Sequence, residues 1–214
     1  MMSKLDLEKS YEKKKYDIRE RLLDFKKIWN KSDEEIFAEL SFCLLTPQTR
    51  ARAADKAIKH MVKTGILFSG NENQIYKVLH AYGIRFPENK ARYIVKTREL
   101  FKKDGKIDIK NQLQNNSDYD KREWLVNNVM GFGLKEASHF LRNIGLGFDL
   151  AILDRHIIKN LLRYSVIDET PKSLTKKQYL MIEEKMKEFS KKIGISLAEL
   201  DLLFWSEETG EIFK

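Results

Sequence analysis

Apolar residues recur at the helical period over almost the whole chain, and no convincing run alternates residue by residue as a half-buried strand would. Tyr11, Ile18, Leu22, Phe25 and Trp29 fall on one stripe of a charged N-terminal segment, the pattern of a helix docked on a core. Ser32 opens the next helix. Its Ser-x-x-Glu spacing to Glu35 is a capping box, and the apolar run behind it passes Leu40 and Cys43 until Pro47 interferes. An alanine-rich helix follows and ends near Gly65. Two further helical segments come next, one closed by Gly83 and one from about Glu88 to Phe101 that stops at Asp104-Gly105. The polar stretch from Asn111 to Asp120 predicts a loop. Toward the C-terminus, Thr175 with Gln178 and Ser196 with Glu199 cap two more helices, ending near Gly194 and by Gly210. The pattern predicts an all-α protein of roughly ten helices, without an internal repeat, a low-complexity tract or a long linker.

Composition narrows the classes. A chain of 214 residues has room for one domain or two small lobes sharing a cleft. No stretch approaches the roughly 20 apolar residues of a membrane span. The start, Met1-Met2-Ser3-Lys4-Leu5-Asp6, lacks the apolar centre of a signal peptide, so the expected location is the cytoplasm, at the nucleoid, with no membrane partner. A single cysteine, Cys43, excludes an internal disulfide, a four-cysteine zinc site and a four-cysteine iron–sulfur cluster, and its place on an apolar helix face predicts a core residue. His60, His80, His139 and His156 have no ligand spacing, so neither a metal nor another cofactor is expected. Forty Lys and Arg against 32 Asp and Glu give a net charge of +8. That balance suits a polyanionic partner, and equally a charge-rich thermophilic surface. Lys13-Lys14-Lys15 reads as a solvated helix face.

The chemistry concentrates between about residues 122 and 143. A short amphipathic helix ending at Val129-Met130 meets Gly131-Phe132-Gly133, and a second helix begins at once with Leu134-Lys135-Glu136-Ala137. Two glycines around one apolar residue let the backbone turn tightly, bring amide N–H groups to the surface and plug the turn with Phe132. Beside a helix N-terminus such amides form an anion site that grips a DNA phosphate without reading sequence; the competing reading is a plain structural turn. Lys135 lies in the first turn of the second helix. Alone it would be a solvated surface charge, but the positive end of the helix dipole and neighbouring cations favour a neutral, nucleophilic amine. Held next to a gripped phosphate, that amine would reach C1′ of the sugar, expel the base and form a Schiff base that promotes loss of the 3′ phosphate. Farther on, Asp154 follows the apolar run Leu150-Ala151-Ile152-Leu153. It is placed to cap the next helix or pair with Arg155, and equally to stabilise the oxocarbenium character that base loss creates and to orient Lys135.

Helix, Gly-Phe-Gly hairpin, lysine and downstream aspartate resemble the helix-hairpin-helix DNA glycosylase superfamily. Lys135-Glu136-Ala137-Ser138-His139-Phe140-Leu141-Arg142-Asn143, Ala151-Ile152-Leu153-Asp154-Arg155-His156-Ile157 and Leu200-Asp201-Leu202-Leu203-Phe204-Trp205 are similar to motifs of its second, archaeal-type family of 8-oxoguanine DNA glycosylase/AP lyases. The resemblance covers most of the chain. It implies a single glycosylase unit over residues 1–214, built as two helical lobes with the hairpin and a base pocket at their cleft. It also implies a monomer that acts on double-stranded DNA carrying a damaged base. Lys135 then matches the Schiff-base lysine and Asp154 the catalytic aspartate. Phe86 and Trp205, which read alone as core aromatics, match the walls that sandwich a flipped base. The C-terminal Lys214 matches a residue that reads the base, and Asp201 belongs to the same substrate-binding set.

Two positions depart from the family pattern. Thr46-Pro47-Gln48-Thr49 stands where Thr-Ala-Asn is usual, closer to the turn of endonuclease III relatives, with Gln48 placed to fill the gap left by a flipped base. Ser206 stands where an aromatic often follows the tryptophan, which implies a different pocket shape. The reading as an 8-oxoguanine enzyme therefore stands beside two others: a superfamily glycosylase for an oxidised pyrimidine or mismatched base, and a non-catalytic DNA-binding module.

Overall fold

The computed structural model describes residues 4–114 and 116–214, so the reading of Met1-Met2-Ser3 lies outside the described residues. Among those described, twelve helices are accompanied by one two-stranded ribbon, and the longer connections are those before and after α10 (Arg155–Arg163). The chain is all-α in class, and no described helix is long and apolar enough to cross a membrane. It divides into two compact units, residues 1–27 with 141–214, and residues 28–140.

The first unit contains almost all of α1 (Lys4–Ile28), then α10 (Arg155–Arg163), α11 (Lys176–Ile193) and α12 (Leu197–Thr209). Four of the five expected stripe residues, Tyr11, Ile18, Leu22 and Phe25, are buried, whereas Trp29 lies just beyond the end of α1 and is half-buried. The Tyr11 hydroxyl and the Arg19 Nε both donate to Glu199 Oε1 at 2.8 Å, which fixes α1 to the first turn of α12. Burial and the adjacent Glu199 carboxylate together push the Tyr11 phenol up. Thr175 and Ser196 make the expected capping boxes with Gln178 and Glu199. Tyr164 stacks on Phe204 with ring centroids 5.5 Å apart, in the middle of the core. Lys14, in the basic run, donates to Ser206 Oγ at 3.0 Å, so position 206 faces α1 and is buried there.

The second unit begins with α2 (Asp33–Leu45) and α3 (Ala51–Lys63), followed by the single turn α4 (Ile66–Ser69), α5 (Glu72–Ala81) and α6 (Pro87–Leu100). The Ser32/Glu35 capping box is present, and Cys43 is fully buried as expected. Beyond α6 two expectations change. Lys102–Lys103 (β1) pairs antiparallel with Lys106–Ile107 (β2), because Asp104 and Gly105 both adopt positive φ, the geometry of a tight hairpin turn. The polar stretch from Asn111 is not one loop. It carries the end of α7 (Lys110–Leu113) and the start of α8 (Asp118–Asn128). Buried Ile109 and Leu113 anchor the first of these, and Asp33 Oδ1 accepts from the amides of both Ile109 and Lys110 at 2.8 Å. Ser117 caps the second through Asp120 N. Most of α9 (Leu134–Asn143) completes the unit.

Candidate active site and DNA-binding hairpin

The hairpin joins α8 to α9. Gly131 has φ +91, and a Cβ there would lie 2.5 Å from Tyr93 Cδ2, so both backbone sign and space require glycine. Phe132 is buried against Phe140, with ring centroids 6.3 Å apart, and plugs the turn as expected. Gly133 serves a different purpose from Gly131. Its amide donates to Glu136 Oε2 at 3.2 Å, and a Cβ would come 3.3 Å from that oxygen. The Phe132 amide is also used inside the turn, donating to Val129 O. Of the turn's amides the Gly131 N–H remains as a candidate donor to a phosphate, beside the first amides of α9, where a helix provides no acceptor of its own.

Lys135 is not a solvated side chain. It is 21% exposed, its Nζ donates to Thr46 Oγ1 at 3.4 Å, and Glu136 Oε1 lies 3.6 Å away. Thr46, the C-cap of α2, donates in turn to Cys43 O at 3.0 Å, so its hydroxyl is oriented with an oxygen lone pair toward the amine. The cation expected near Lys135 is Lys90, a buried residue in the first turns of α6. Desolvation by burial, then the Lys135 charge, pull the Lys90 ammonium down to about 8. Gln48 and Phe86 lie in the same unit, and both are exposed with φ +55, although neither is glycine. Backbone strain of this kind, about 1–3 kcal/mol per residue, persists only where surrounding contacts enforce it. The Arg85 guanidinium covers one face of the Phe86 ring at 5.3 Å, and the residue is 49% exposed.

The first unit holds the other predicted residues. Asp154 is the N-cap of α10, and its Oδ1 accepts from the amides of His156 and Ile157, both at 2.8 Å. The cap uses Oδ1 alone. The Arg155 guanidinium turns toward His156 Nε2 instead, at 3.3 Å. The segment before Asp154 is neither helix nor strand and is buried from Leu150 to Leu153, and its backbone groups need partners there. Helix α11 supplies them. Tyr179 donates to Ala151 O at 2.7 Å and accepts from Leu153 N at 3.2 Å, while Glu183 Oε2 accepts from Ala151 N at 2.8 Å. Trp205 is half-buried on α12, one turn after Asp201. Asp201 itself is 6% exposed and pairs with Arg142 Nη1 at 3.0 Å, so its carboxylate already serves a buried ion pair. The C-terminus is tied down: Phe213 is buried and its carbonyl accepts from Arg21 Nε at 2.5 Å, which holds Lys214 on the unit.

Sequence reasoning missed Thr46 as a partner of Lys135, and it missed Lys90, Tyr179 and Glu183 altogether. The pair Tyr179 and Glu183 at spacing i, i+4 on an otherwise charged helix was the available signal, since two polar groups on its apolar face need buried partners. Lys90 gave no local signal. Among the described residues no group of three or more His, Cys, Asp and Glu side chains is arranged to hold a metal ion.

A helix, a Gly-Phe-Gly turn and a second helix starting with a half-buried lysine define a helix-hairpin-helix protein. The chain belongs to the 8-oxoguanine DNA glycosylase family, whose model matches residues 18–195. It is 46% identical to the 8-oxoguanine DNA glycosylase/AP lyase of Fusobacterium nucleatum over 98% of this chain and 96% of that one. The enzyme of the same name from Korarchaeum cryptofilum is 41% identical over 92% and 90%. Among solved structures, the 8-oxoguanine DNA glycosylase of Thermotoga maritima superposes with a TM-score of 0.87 at 35% identity, covering 99% of this chain and 98% of the other. The Methanocaldococcus jannaschii 8-oxoguanine glycosylase/lyase in complex with a 15mer DNA containing 8-oxoguanine gives 0.88 at 35% identity, covering 98% and 100%.

Proposed function

We propose that this protein is a bifunctional DNA N-glycosylase/AP lyase that removes 8-oxoguanine from double-stranded DNA and then cuts the strand by β-elimination. The observation that carries the reading is Lys135, a half-buried amine held against Thr46 Oγ1 at the start of the helix that follows the Gly-Phe-Gly hairpin. The names and lesion-bearing DNA complex of the relatives support the choice of base. Residues 1–214 act as one enzymatic unit and as a monomer, in the cytoplasm at the nucleoid.

In this mechanism Gly131, Phe132 and Gly133 shape the turn that presents the first amides of α9 to a phosphate. Gln48 fills the gap left by the flipped base, and Phe86 and Trp205 stack on it. Lys214 reads the base edge, and Asp201 supports that wall through Arg142. The neutral Lys135 amine attacks C1′ while the N-glycosidic bond breaks and its electron pair leaves with the base, which takes up a proton. The Asp154 carboxylate stabilises positive charge on the sugar and accepts the proton that Lys135 loses. Ring opening gives an imine between Lys135 and C1′. Loss of a C2′ proton then expels the 3′ phosphate with the C3′–O electron pair, and water releases the lysine.

The test is a panel of duplexes carrying 8-oxoguanine, an oxidised pyrimidine or a mismatch, analysed for strand cleavage with and without alkali. The reading expects cleavage at 8-oxoguanine without alkali, and Asp154→Asn should bind DNA normally while losing most turnover. Preference for an oxidised pyrimidine, or no cleavage of any substrate, would overturn it.

A further inference from the structure

Lys90 is only 4% exposed, and its three N–H donors meet three acceptors: Leu45 O at 2.9 Å, Pro47 O at 2.8 Å and Thr49 Oγ1 at 3.0 Å. All three are uncharged. A buried ammonium without a carboxylate in its hydrogen-bond shell is a costly way to hold a turn, since a neutral donor would serve with less desolvation. What the site gains becomes clear from the groups it joins. Thr49 Oγ1 also accepts from the Arg85 amide at 3.2 Å, so one hydroxyl connects Lys90 to the backbone just before Phe86. Lys90 N donates to Phe86 O, closing the same frame from the helix side. Both strained residues of this unit's candidate site, Gln48 and Phe86, therefore lie on segments joined through Lys90 and Thr49. Thr46, which meets the Lys135 amine, lies between the two carbonyls that Lys90 binds. The charges acting on Lys90 are those of Lys135, Glu136 and Arg85.

We propose that Lys90 is a positioning residue for base excision, locking the Thr46–Thr49 turn and the Arg85–Phe86 turn into one frame that also holds Thr46 against the Lys135 amine. The inference rests on the reading of Lys135 as the nucleophile. Two effects follow. The frame holds Gln48 and Phe86 in conformations they would otherwise leave, which acts on recognition of the lesion. Because Thr46 lies between the two carbonyls that Lys90 binds and its Oγ1 accepts from Lys135 Nζ, the same frame also fixes the place of the amine, which acts on the chemistry and not on the base.

The experiment compares wild type, Lys90→Met and Thr49→Val in single-turnover borohydride trapping at saturating duplex, on duplexes carrying 8-oxoguanine and on duplexes carrying a preformed abasic site. Far-UV circular dichroism and affinity for undamaged duplex report on folding. Lys90→Met should trap both duplexes at least tenfold more slowly while keeping wild-type affinity for undamaged duplex. Thr49→Val keeps the two carbonyl bonds of Lys90 on either side of Thr46, so it should slow trapping on 8-oxoguanine more than on the abasic duplex. A folded Lys90→Met that matches wild type, or that loses affinity for undamaged duplex as much as it loses trapping, overturns the proposal. If Lys90→Met does not fold, Thr49→Val decides, and wild-type trapping of the 8-oxoguanine duplex by that variant overturns it. Absence of any adduct in wild type would instead defeat the proposed function itself.

Discussion

The backbone that delivers Asp154 is held by the Tyr179 phenol together with the Glu183 carboxylate, and removing the phenol oxygen tests the first of these directly. Tyr179 is 3% exposed, and its hydroxyl donates to Ala151 O and accepts from Leu153 N. Tyr179→Phe keeps the ring and its packing and leaves one buried carbonyl and one buried amide without that partner. Each orphaned group costs about 1–3 kcal/mol, so the change should lower stability by roughly 2–6 kcal/mol. That is a large share of a total of about 5–15 kcal/mol, yet it leaves a folded protein at moderate temperature. Glu183 still binds Ala151 N, so the segment should shift at Leu153 more than at Ala151, and Leu153 adjoins Asp154. A displacement of about 1 Å in a catalytic group costs on the order of a hundredfold in rate. Urea unfolding gives the stability change. Single-turnover excision, measured where both proteins are fully folded, gives the rate, with affinity for undamaged duplex as the control. A stability loss below about 0.5 kcal/mol would show that these hydrogen bonds do not hold the segment. A normal excision rate in a strongly destabilised variant would show that Asp154 does not depend on it.

Other consequences are simpler to read. Affinity for undamaged duplex should fall steeply with salt, and Gly131→Ala, which forces a Cβ into Tyr93 at positive φ, should weaken that affinity and lower the salt slope in a binding titration. Deleting Lys214, or adding a C-terminal tag, should slow excision of 8-oxoguanine while leaving undamaged-DNA affinity unchanged, because Phe213 and Arg21 already anchor the chain end. Trp205→Ala should behave similarly, through lost stacking of about 1–3 kcal/mol. Lys90 titrates near 8 when folded and near its ordinary 10.5 when unfolded, so between those values the unfolded chain binds more protons. The contribution of Lys90 to stability should therefore rise as pH climbs from about 8 to 10.5, a trend that denaturation across that window finds in wild type and not in Lys90→Met.

The parts of this structure that were legible in the sequence are those whose causes are local. Three capping boxes, at Ser32, Thr175 and Ser196, marked helix starts because both partners lie within one turn. Lys135 and Asp154 could be singled out for the same reason, one by the hairpin glycines before it and the other by the helix it caps. In the polar run from Asn111, α7 was misread because its anchors are distant, Asp33 and the core around Ile109 and Leu113, whereas the Ser117 cap of α8 was a local signal that the reading passed over. The ribbon was missed because each strand is two residues long, too short to alternate, although Asp104-Gly105 is a hairpin signal in its own right. Lys90 was invisible for a related reason. Its partners lie 41 to 45 residues away in the chain, where no spacing rule reaches. The hairpin amides were half legible. Their tight turn was predicted, whereas the Glu136 carboxylate that takes up the Gly133 N–H was not.

The central claim is that the Lys135 amine bonds to the sugar. Borohydride reduction during a single turnover on an 8-oxoguanine duplex, followed by proteolysis and mass spectrometry of the cross-linked peptide, locates that bond. The account predicts that the added mass falls on Lys135 and that Lys135→Gln gives neither adduct nor free base. An adduct on Lys90, on another lysine or on the N-terminal amine, or base release without any adduct, would contradict it.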